Sequence, residues 1–304
     1  MLSPAEEITW QTSRKGEPGK LDFKIIDPQI KLSEGNAIRL KLDGKNIFYG
    51  FIFKINRDKS NIVKITAYDQ LRYLKNKDTY VYENKTAAEV IEMVAKDFSL
   101  QTGELEDTGY KIESRIEDNQ TLFDIIQNAL DLTLTSKNQI YVFYDDFGKI
   151  TLKNLKNMKL DILIDEKSGE NYNYTSTIDG DTYDQIKLSY ENPNTGKREI
   201  YMTKDSSHIN DWGVLQYYES IDEKTNGKAK ADALLKLYNR KTKKLSLTKC
   251  FGNIKVRAGS LIAVSRDLGD LKINNLMLVE KCTHHFRENE HLMDLTLRGG
   301  DIIA

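Results

Sequence analysis

A chain of 304 residues is too long for one typical domain and has room for two or three, each with its own core. Its 45 Lys+Arg against 46 Asp+Glu leave a net charge of -1, which creates no long-range field for DNA or an anionic membrane and argues against sequence-specific nucleic-acid binding. Cys250 and Cys282 are too few for a disulfide framework and lack paired zinc-type spacing, so a reducing cytosol is the expected place of synthesis.

The opening MLSPAEEITW has no basic region followed by an apolar one, and no stretch approaches the ~18 apolar residues of a membrane span, so neither a signal peptide nor a membrane is expected. From Glu7 to Asp69 the pattern is β: Ile8, Trp10, Leu21, Phe23, Ile25, Ile38, Leu40 and Leu42 alternate with polar residues at period two. Gly16-Glu-Pro-Gly19, Ser33-Glu-Gly35 and Asp43-Gly44 supply turn residues between these strands. A small sandwich or barrel follows.

Between about residues 76 and 155 the period becomes helical twice. Ala87, Val90, Ile91, Val94, Ala95 and Phe98 form an apolar stripe behind a capping-box sequence, Thr86-Ala-Ala-Glu89. Thr121 to Asp124 begins a second helix whose stripe is Leu122, Ile125, Ile126, Ala129 and Leu130. A hairpin then reads as Gln139 to Tyr144, a turn at Asp145-Asp-Phe-Gly148, and Ile150 to Leu152. From about residue 160 the signal is β again, interrupted by one helix near Lys228 to Arg240 with Ala231, Leu234, Leu235 and Tyr238 on one side. Arg240, Lys241, Lys243 and Lys244 lie at or beyond its C-terminal end, where cations complement the helix dipole.

The two β regions echo one another. Gly35 to Leu40, Phe48 to Ile55 and Ile62 to Ala67 repeat the strand-turn-strand-turn-strand spacing of Gly259 to Val264, Leu276 to Thr283 and Leu292 to Leu297. Any two antiparallel meanders look alike at this level, and identity between the copies is low. A true duplication would let a trimer present six similar units in a ring.

Candidate chemistry is sparse. His284 and His285 are neighbours on an expected strand and point to opposite faces, so at most one of them meets His291 and the hairpin offers two metal ligands at most. Asp205-Ser-Ser-His208 holds the residue types of a hydrolase triad without its geometry, and no Gly-x-Ser-x-Gly elbow exists, so it reads as a polar loop. Glu89 and Glu92 read as a solvated helix face. Asp179-Gly-Asp181-Thr-Tyr-Asp184 lacks the ligand order of a calcium loop, and Cys250 and Cys282 read as buried reduced thiols. With no phosphate-binding or dinucleotide motif either, no catalytic, cofactor-binding or metal-ligating residue is assigned and no enzyme is expected. The 16 tyrosines, Tyr217-Tyr218 among them, suit an interface and a strand surface equally.

Several segments carry a family resemblance. Ile8-Thr-Trp10-Gln-Thr-Ser-Arg14, Leu21-Asp-Phe23, Phe48-Tyr-Gly50, Ile65-Thr-Ala-Tyr68-Asp69 and Leu71-Arg-Tyr73-Leu74 resemble the XkdQ/YqbQ group of prophage tail proteins. So do Gly252-Asn253, Arg257-Ala-Gly259-Ser260, Val279-Glu280, Thr283-His284 and His291-Leu-Met293-Asp-Leu295. That group is placed with the late control protein D and VgrG-like hubs of contractile injection systems.

The resemblance implies an α+β, mainly β chain. Two tube-like antiparallel β-barrel domains, 1–75 and 156–304, would flank a small α+β insertion at 76–155. It further implies a structural baseplate hub of a contractile phage tail or tail-like bacteriocin. This would be a homotrimer adapting a sixfold tail tube to a threefold central spike, bound to the tube protein, the spike and other baseplate proteins. The alternative is a wall-binding or wall-hydrolysing tail-associated module, for which convergent acidic or Cys/His groups are expected. An isolated adhesin would need a secretion signal.

Overall fold

The computed structural model describes residues 6–26, 31–59, 62–192, 195–221, 223, 225–268 and 272–299. Ser60, Asn61 and Gly269, which fall between the strands of the sequence echo, lie outside the described residues. The chain divides into two compact units, 1–173 with 245–304, and 174–244.

The first unit opens with five strands: β1 (Ile8–Ser13), β2 (Lys20–Ile26), β3 (Ala37–Leu42), β4 (Lys45–Arg57) and β5 (Ile62–Tyr68). Their alternation decides which face is buried: Trp10, Leu21, Phe23, Ile25, Phe48, Ile52, Val63 and Ile65 form one core. Asp43 and Gly44, at φ +49° and +76°, make the left-handed two-residue turn that joins β3 to β4 with the twist of the strands.

The middle segment follows a short 3-10 turn (Gln70–Lys75). It comprises β6 (Lys77–Lys85), α1 (Ala87–Asp97), β7 (Thr102–Leu105), β8 (Ile112–Thr121), α2 (Leu122–Lys137), β9 (Tyr141–Asp145) and β10 (Ile150–Asn154). The Thr86 hydroxyl accepts from the Glu89 N–H and the Glu89 carboxylate accepts from the Thr86 N–H, so the capping box forms as read. Both helical stripes are buried together, with Val90, Ile91, Leu122, Ile125 and Ile126 fully enclosed. Two features escaped sequence reading: β6 pairs with β8 around α1, and β7 pairs with β10 in parallel. The exposed faces of β6 and β8 mix charged residues with Val81 and Ile116 and are interrupted by left-handed Asn84 and Asn119, which masks the period-two signal.

The chain continues through β11 (Lys159–Ile164) and β12 (Asn171–Thr177) into the second unit: β13 (Gln185–Glu191), β14 (Arg198–Lys204), α3 (Ser206–Trp212), β15 (Gln216–Ser220) and α4 (Gly227–Tyr238). Here β13 lies between β14 and β15, and α4 covers one face of the sheet through Ala231 and Leu234 on Ile186 and Leu188. Where the sequence led to one helix, the described residues of the unit form two. Asp205-Ser-Ser-His208 is not a polar loop but the start of α3, with the Asp205 carboxylate accepting from the Ser207 and His208 N–H groups.

The last strands are β16 (Thr242–Phe251), β17 (Leu261–Asp267), β18 (Lys272–Arg287) and β19 (Glu290–Gly299). They belong to the same large sheet as the first five. Its order is β12-β16-β19-β18-β1-β2-β5-β4-β3, with β17 beside β18 and β11 parallel to β17. Among the described residues this path is open at both ends and closes no barrel. Its two halves nevertheless share one arrangement. In chain order β1 to β5 are laid out 1-2-5-4-3, and β12 followed by β16 to β19 are laid out in the same way, 12-16-19-18-17. The halves meet where β1 runs antiparallel to the second part of β18, Trp10 opposite His284. Among the described residues no helix is long and apolar enough to cross a membrane.

Candidate functional site

The first unit places two buried carboxyls and one partly buried cation where three parts of the chain converge: the β1–β2 and β5 ends, the β9–β10 turn, and the 257–260 loop. Asp69 is buried, and its Oδ2 accepts from the Gly19 N–H at 2.8 Å. A Cβ on Gly19 would stand 2.3 Å from that oxygen, which is why the Gly16-Glu-Pro-Gly19 turn needs glycine at its last position. The other Asp69 oxygen accepts from the Leu71 N–H at 3.1 Å and caps the 3-10 turn. Gln70 then grips the Gln101 backbone in both directions, at 3.0 and 2.9 Å.

Asp145, also buried, accepts from the Gly148 N–H and so shapes the β9–β10 turn. Gly148 has φ +89°, and a Cβ there would meet the Tyr49 ring at 2.5 Å, so the turn docks against an aromatic row on the outer face of β4. Tyr49, Phe51, Phe53 and Tyr73 continue that row, with Arg39 and Arg72 over Tyr49 and Phe53.

Arg257 closes the junction. Its guanidinium lies 3.9 Å from the Tyr144 ring centroid and donates to the Asp145 carbonyl at 3.0 Å. The residue keeps some solvent contact, but its Nε is sealed. One residue on, the Ala258 N–H donates to Thr12 Oγ1 at 2.9 Å and ties the loop to β1. Burial pushes the Asp145 carboxyl up to about 6. Burial, with Asp145 nearby, also holds Asp69 well above the usual carboxylate range, against the pull of the Gly19 N–H and Arg257. Burial lowers Arg257 in turn. Two carboxyls and one cation thus fix three segments that are far apart in sequence.

The histidines divide as the strand geometry requires. His284 is fully buried, stacked on Trp10, with Nε2 2.8 Å from the Val256 carbonyl and Nδ1 2.8 Å from His291 Nε2. Because a carbonyl only accepts, His284 carries its proton on Nε2, and His291 donates to Nδ1. Burial lowers His284 to about 4 and lowers His291 as well, so the pair is a neutral relay of hydrogen bonds in a core. Gly252 permits it: a Cβ there would lie 2.2 Å from the His291 ring. His285 faces the other way, between Glu7 and Asp294.

The remaining sequence candidates are dispersed. Cys250 and Cys282 are free and buried, burial pushing Cys250 up to about 11 and Cys282 higher. Glu89 serves its helix cap and Glu92 is exposed. In the second unit, Asp184 is buried and accepts from the Leu215 N–H, while Asp179 and Asp181 are exposed. Tyr217 packs with Tyr183 and Tyr238, and Tyr218 shares a hydrogen bond with Ser189. Among the described residues no three His, Cys, Asp or Glu side chains are grouped to hold a metal ion.

Sequence reasoning missed Asp69, Asp145 and Arg257 as a group. Asp145-Asp146 has the composition of a solvated turn, and nothing local distinguishes a buried charge from an exposed one. Asp69 and Arg257 do fall within segments that carry the family resemblance.

The chain was compared with known proteins. The profile of the family described as YQBQ-like matches residues 8–298. The chain is 30% identical over 301 residues to the uncharacterized protein YqbQ of Bacillus subtilis, covering 95% of this chain and 90% of that one. It is 29% identical over 302 residues to the phage-like element PBSX protein XkdQ of the same organism, covering 96% and 91%. In fold it is similar to the prophage MuSo2 43 kDa tail protein of Shewanella oneidensis, with a TM-score of 0.73, 12% identity and coverage of 98% and 95%. It is also similar to the E. coli c3393 protein, a type VI secretion component described as similar to the T4 tail proteins gp27 and gp5, with a TM-score of 0.60, 11% identity and coverage of 99% and 76%. With the family profile spanning nearly the whole chain and a 30% identical relative aligned over 95% of it, the chain belongs to the YQBQ-like family.

Proposed function

We propose that the chain is a structural hub of the baseplate of a contractile phage tail or tail-like bacteriocin, working as a homotrimer between a sixfold tail tube and a threefold spike. The observation that carries this reading is the repeated strand order, 1-2-5-4-3 and 12-16-19-18-17, within one chain. Three copies carrying two such units each offer six similar positions to a tube above and three chains to a spike below. In this reading residues 1–75 and 156–304 supply tube-like β domains around the α+β segment 76–155. The work is mechanical: interfaces resist the force of contraction through buried area and slow dissociation, and no bond is made or broken. The similarity to prophage tail proteins and to a type VI component supports that setting. The protein is made in the bacterial cytoplasm and ends in the particle.

The test is co-purification of the chain with the tail-tube and spike proteins proposed as its partners. A complex holding three copies of this chain is the expected result. A chain that binds neither partner, and is retained as a monomer on purified peptidoglycan, points instead to a wall-binding module.

A further inference from the structure

The two halves of the large sheet agree beyond their strand order. The Gly35 N–H donates to the Ile52 carbonyl at 2.7 Å and the Ile52 N–H to the Asn36 carbonyl at 2.9 Å. In the other half the Gly259 N–H donates to the Val279 carbonyl at 2.8 Å and the Val279 N–H to the Ser260 carbonyl at 2.9 Å. Directly after these anchors both long strands carry a bulge, between Ile52 and Lys54 against β5 and between Val279 and Lys281 against β19. A bulge is a local feature with a fixed position, so the matching pair sets the correspondence residue by residue. Lys54 stands where Lys281 does, and residues 54–59 stand where 281–286 do.

The two long strands differ in what they carry. One edge of β18 holds two strands end to end, β17 on its first part and β1 on Lys281 to Phe286. The equivalent edge of β4 holds β3 on its first part; beyond the bulge, among the described strands, β4 pairs with β5 alone, on its other edge. Lys54, Asn56 and Arg57 are exposed there. The counterpart of β1 in the second half is β12, and among the described strands it pairs only with β16. Open edges are ordinarily protected by charge. In this sheet β3 has Arg39 and Lys41 and β11 has Lys159 and Asp161, whereas β12, Asn-Tyr-Asn-Tyr-Thr-Ser-Thr, has no charged side chain, as β1, Ile-Thr-Trp-Gln-Thr-Ser, has none. All of β12 but Tyr174 and Thr177 is exposed. Within one chain β12 and β4 lie toward opposite ends of the sheet path, so the two edges can meet only between copies.

We infer that β12 of one copy runs antiparallel along residues 54–59 of a second copy, as β1 runs along 281–286 within the chain. Strand addition of this kind draws affinity from backbone hydrogen bonds and specificity from alternate side chains. The two surfaces differ, so the contact is head-to-tail and propagates around a ring rather than closing as a twofold pair. In that ring the junctions between chains repeat the junction inside each chain. The contact rests on the self-association proposed above and gives it an interface.

Two full-length variants test it by light scattering over a concentration series, alone and with the tube and spike proteins proposed as partners: N171K/S176K, and the chain that adds K54E/R57E to it. All four positions are exposed, and circular dichroism checks that each variant folds. Lysines on β12 would face Lys54 and Arg57, so N171K/S176K is expected to weaken self-association by about tenfold or more, and the added K54E/R57E to restore it. Amide exchange at 171–177 and 54–57 should slow at concentrations where the wild type associates, while that of β3 should not change. If N171K/S176K associates like the wild type, this interface is wrong while self-association stands. If it weakens and the fourfold variant does not recover, β12 does not meet the end of β4 and the strand pairing is wrong. A wild type that stays monomeric throughout, alone and with both partners, removes both the interface and the trimer.

Discussion

Replacing Arg257 by Met keeps a side chain of similar length over Tyr144 but removes the charge shared by Asp69 and Asp145. Arg257 acts on the two carboxyls through space and donates a charge-assisted hydrogen bond to the Asp145 carbonyl, so a cost of about 1.5–3 kcal/mol is expected near neutral pH. The cost must depend on pH with a definite sign. Asp145 is raised from 3.8 to about 6 in the folded state, so the folded protein holds this proton more tightly than the unfolded chain. Stability from this group is therefore highest at low pH and falls as pH rises through that window, by about 3 kcal/mol in full. Without Arg257 both carboxyls shift further upward, and the window widens toward neutral pH. Urea unfolding of wild type and Arg257→Met at pH 5 and pH 7.5 should give a difference between the two proteins that is about 1–2 kcal/mol smaller at pH 5. A difference equal at both pH values, or below about 0.5 kcal/mol at pH 7.5, would refute the idea that Arg257 neutralises buried carboxylates.

Asp145→Asn keeps an oxygen for the Gly148 N–H and should remove about 1 kcal/mol of the stability that wild type loses between pH 5 and pH 7, read as the difference between the two proteins. That subtraction matters because His284, lowered to about 4, acts in the opposite sense and loses stability as pH falls below about 6.5. By NMR the His284 ring should show no titration between pH 8 and pH 5.5, and a midpoint near 6.5 would contradict its placement against Val256. Gly148→Ala puts a Cβ at φ +89° and into Tyr49, and should cost about 2–4 kcal/mol by urea unfolding; a loss under about 1 kcal/mol would show that the turn does not dock on β4. Thr86→Ala removes a capping box and should cost about 1 kcal/mol in the same assay.

Elements whose burial is one-sided were legible. The stripes of α1 and α2 and the alternation of β1 and β2 record a core in the order of the residues, because Val90 or Leu21 is apolar for one reason only. The histidine hairpin was legible for the same geometric reason: adjacent residues on a strand cannot share a face, and His284 and His285 do not. Long-range partnerships were not. The parallel pairing of β11 with β17 joins residues about a hundred positions apart, and no local period encodes it. The junction of Asp69, Asp145 and Arg257 was hidden because each charge is ordinary in its own neighbourhood and becomes costly only where the chain brings the three together. In α3 no buried apolar stripe follows Asp205, so the helix carried no periodic signal and its start read as a polar loop.

The account stands most directly on how many copies associate. Light scattering of the purified chain, alone and with the spike protein proposed as its partner, reads that number. The account predicts about 105 kDa for this component, three times the 35.0 kDa chain, either alone or once the spike is present. A mass of one chain under both conditions, with no change on adding the tube protein, would contradict it.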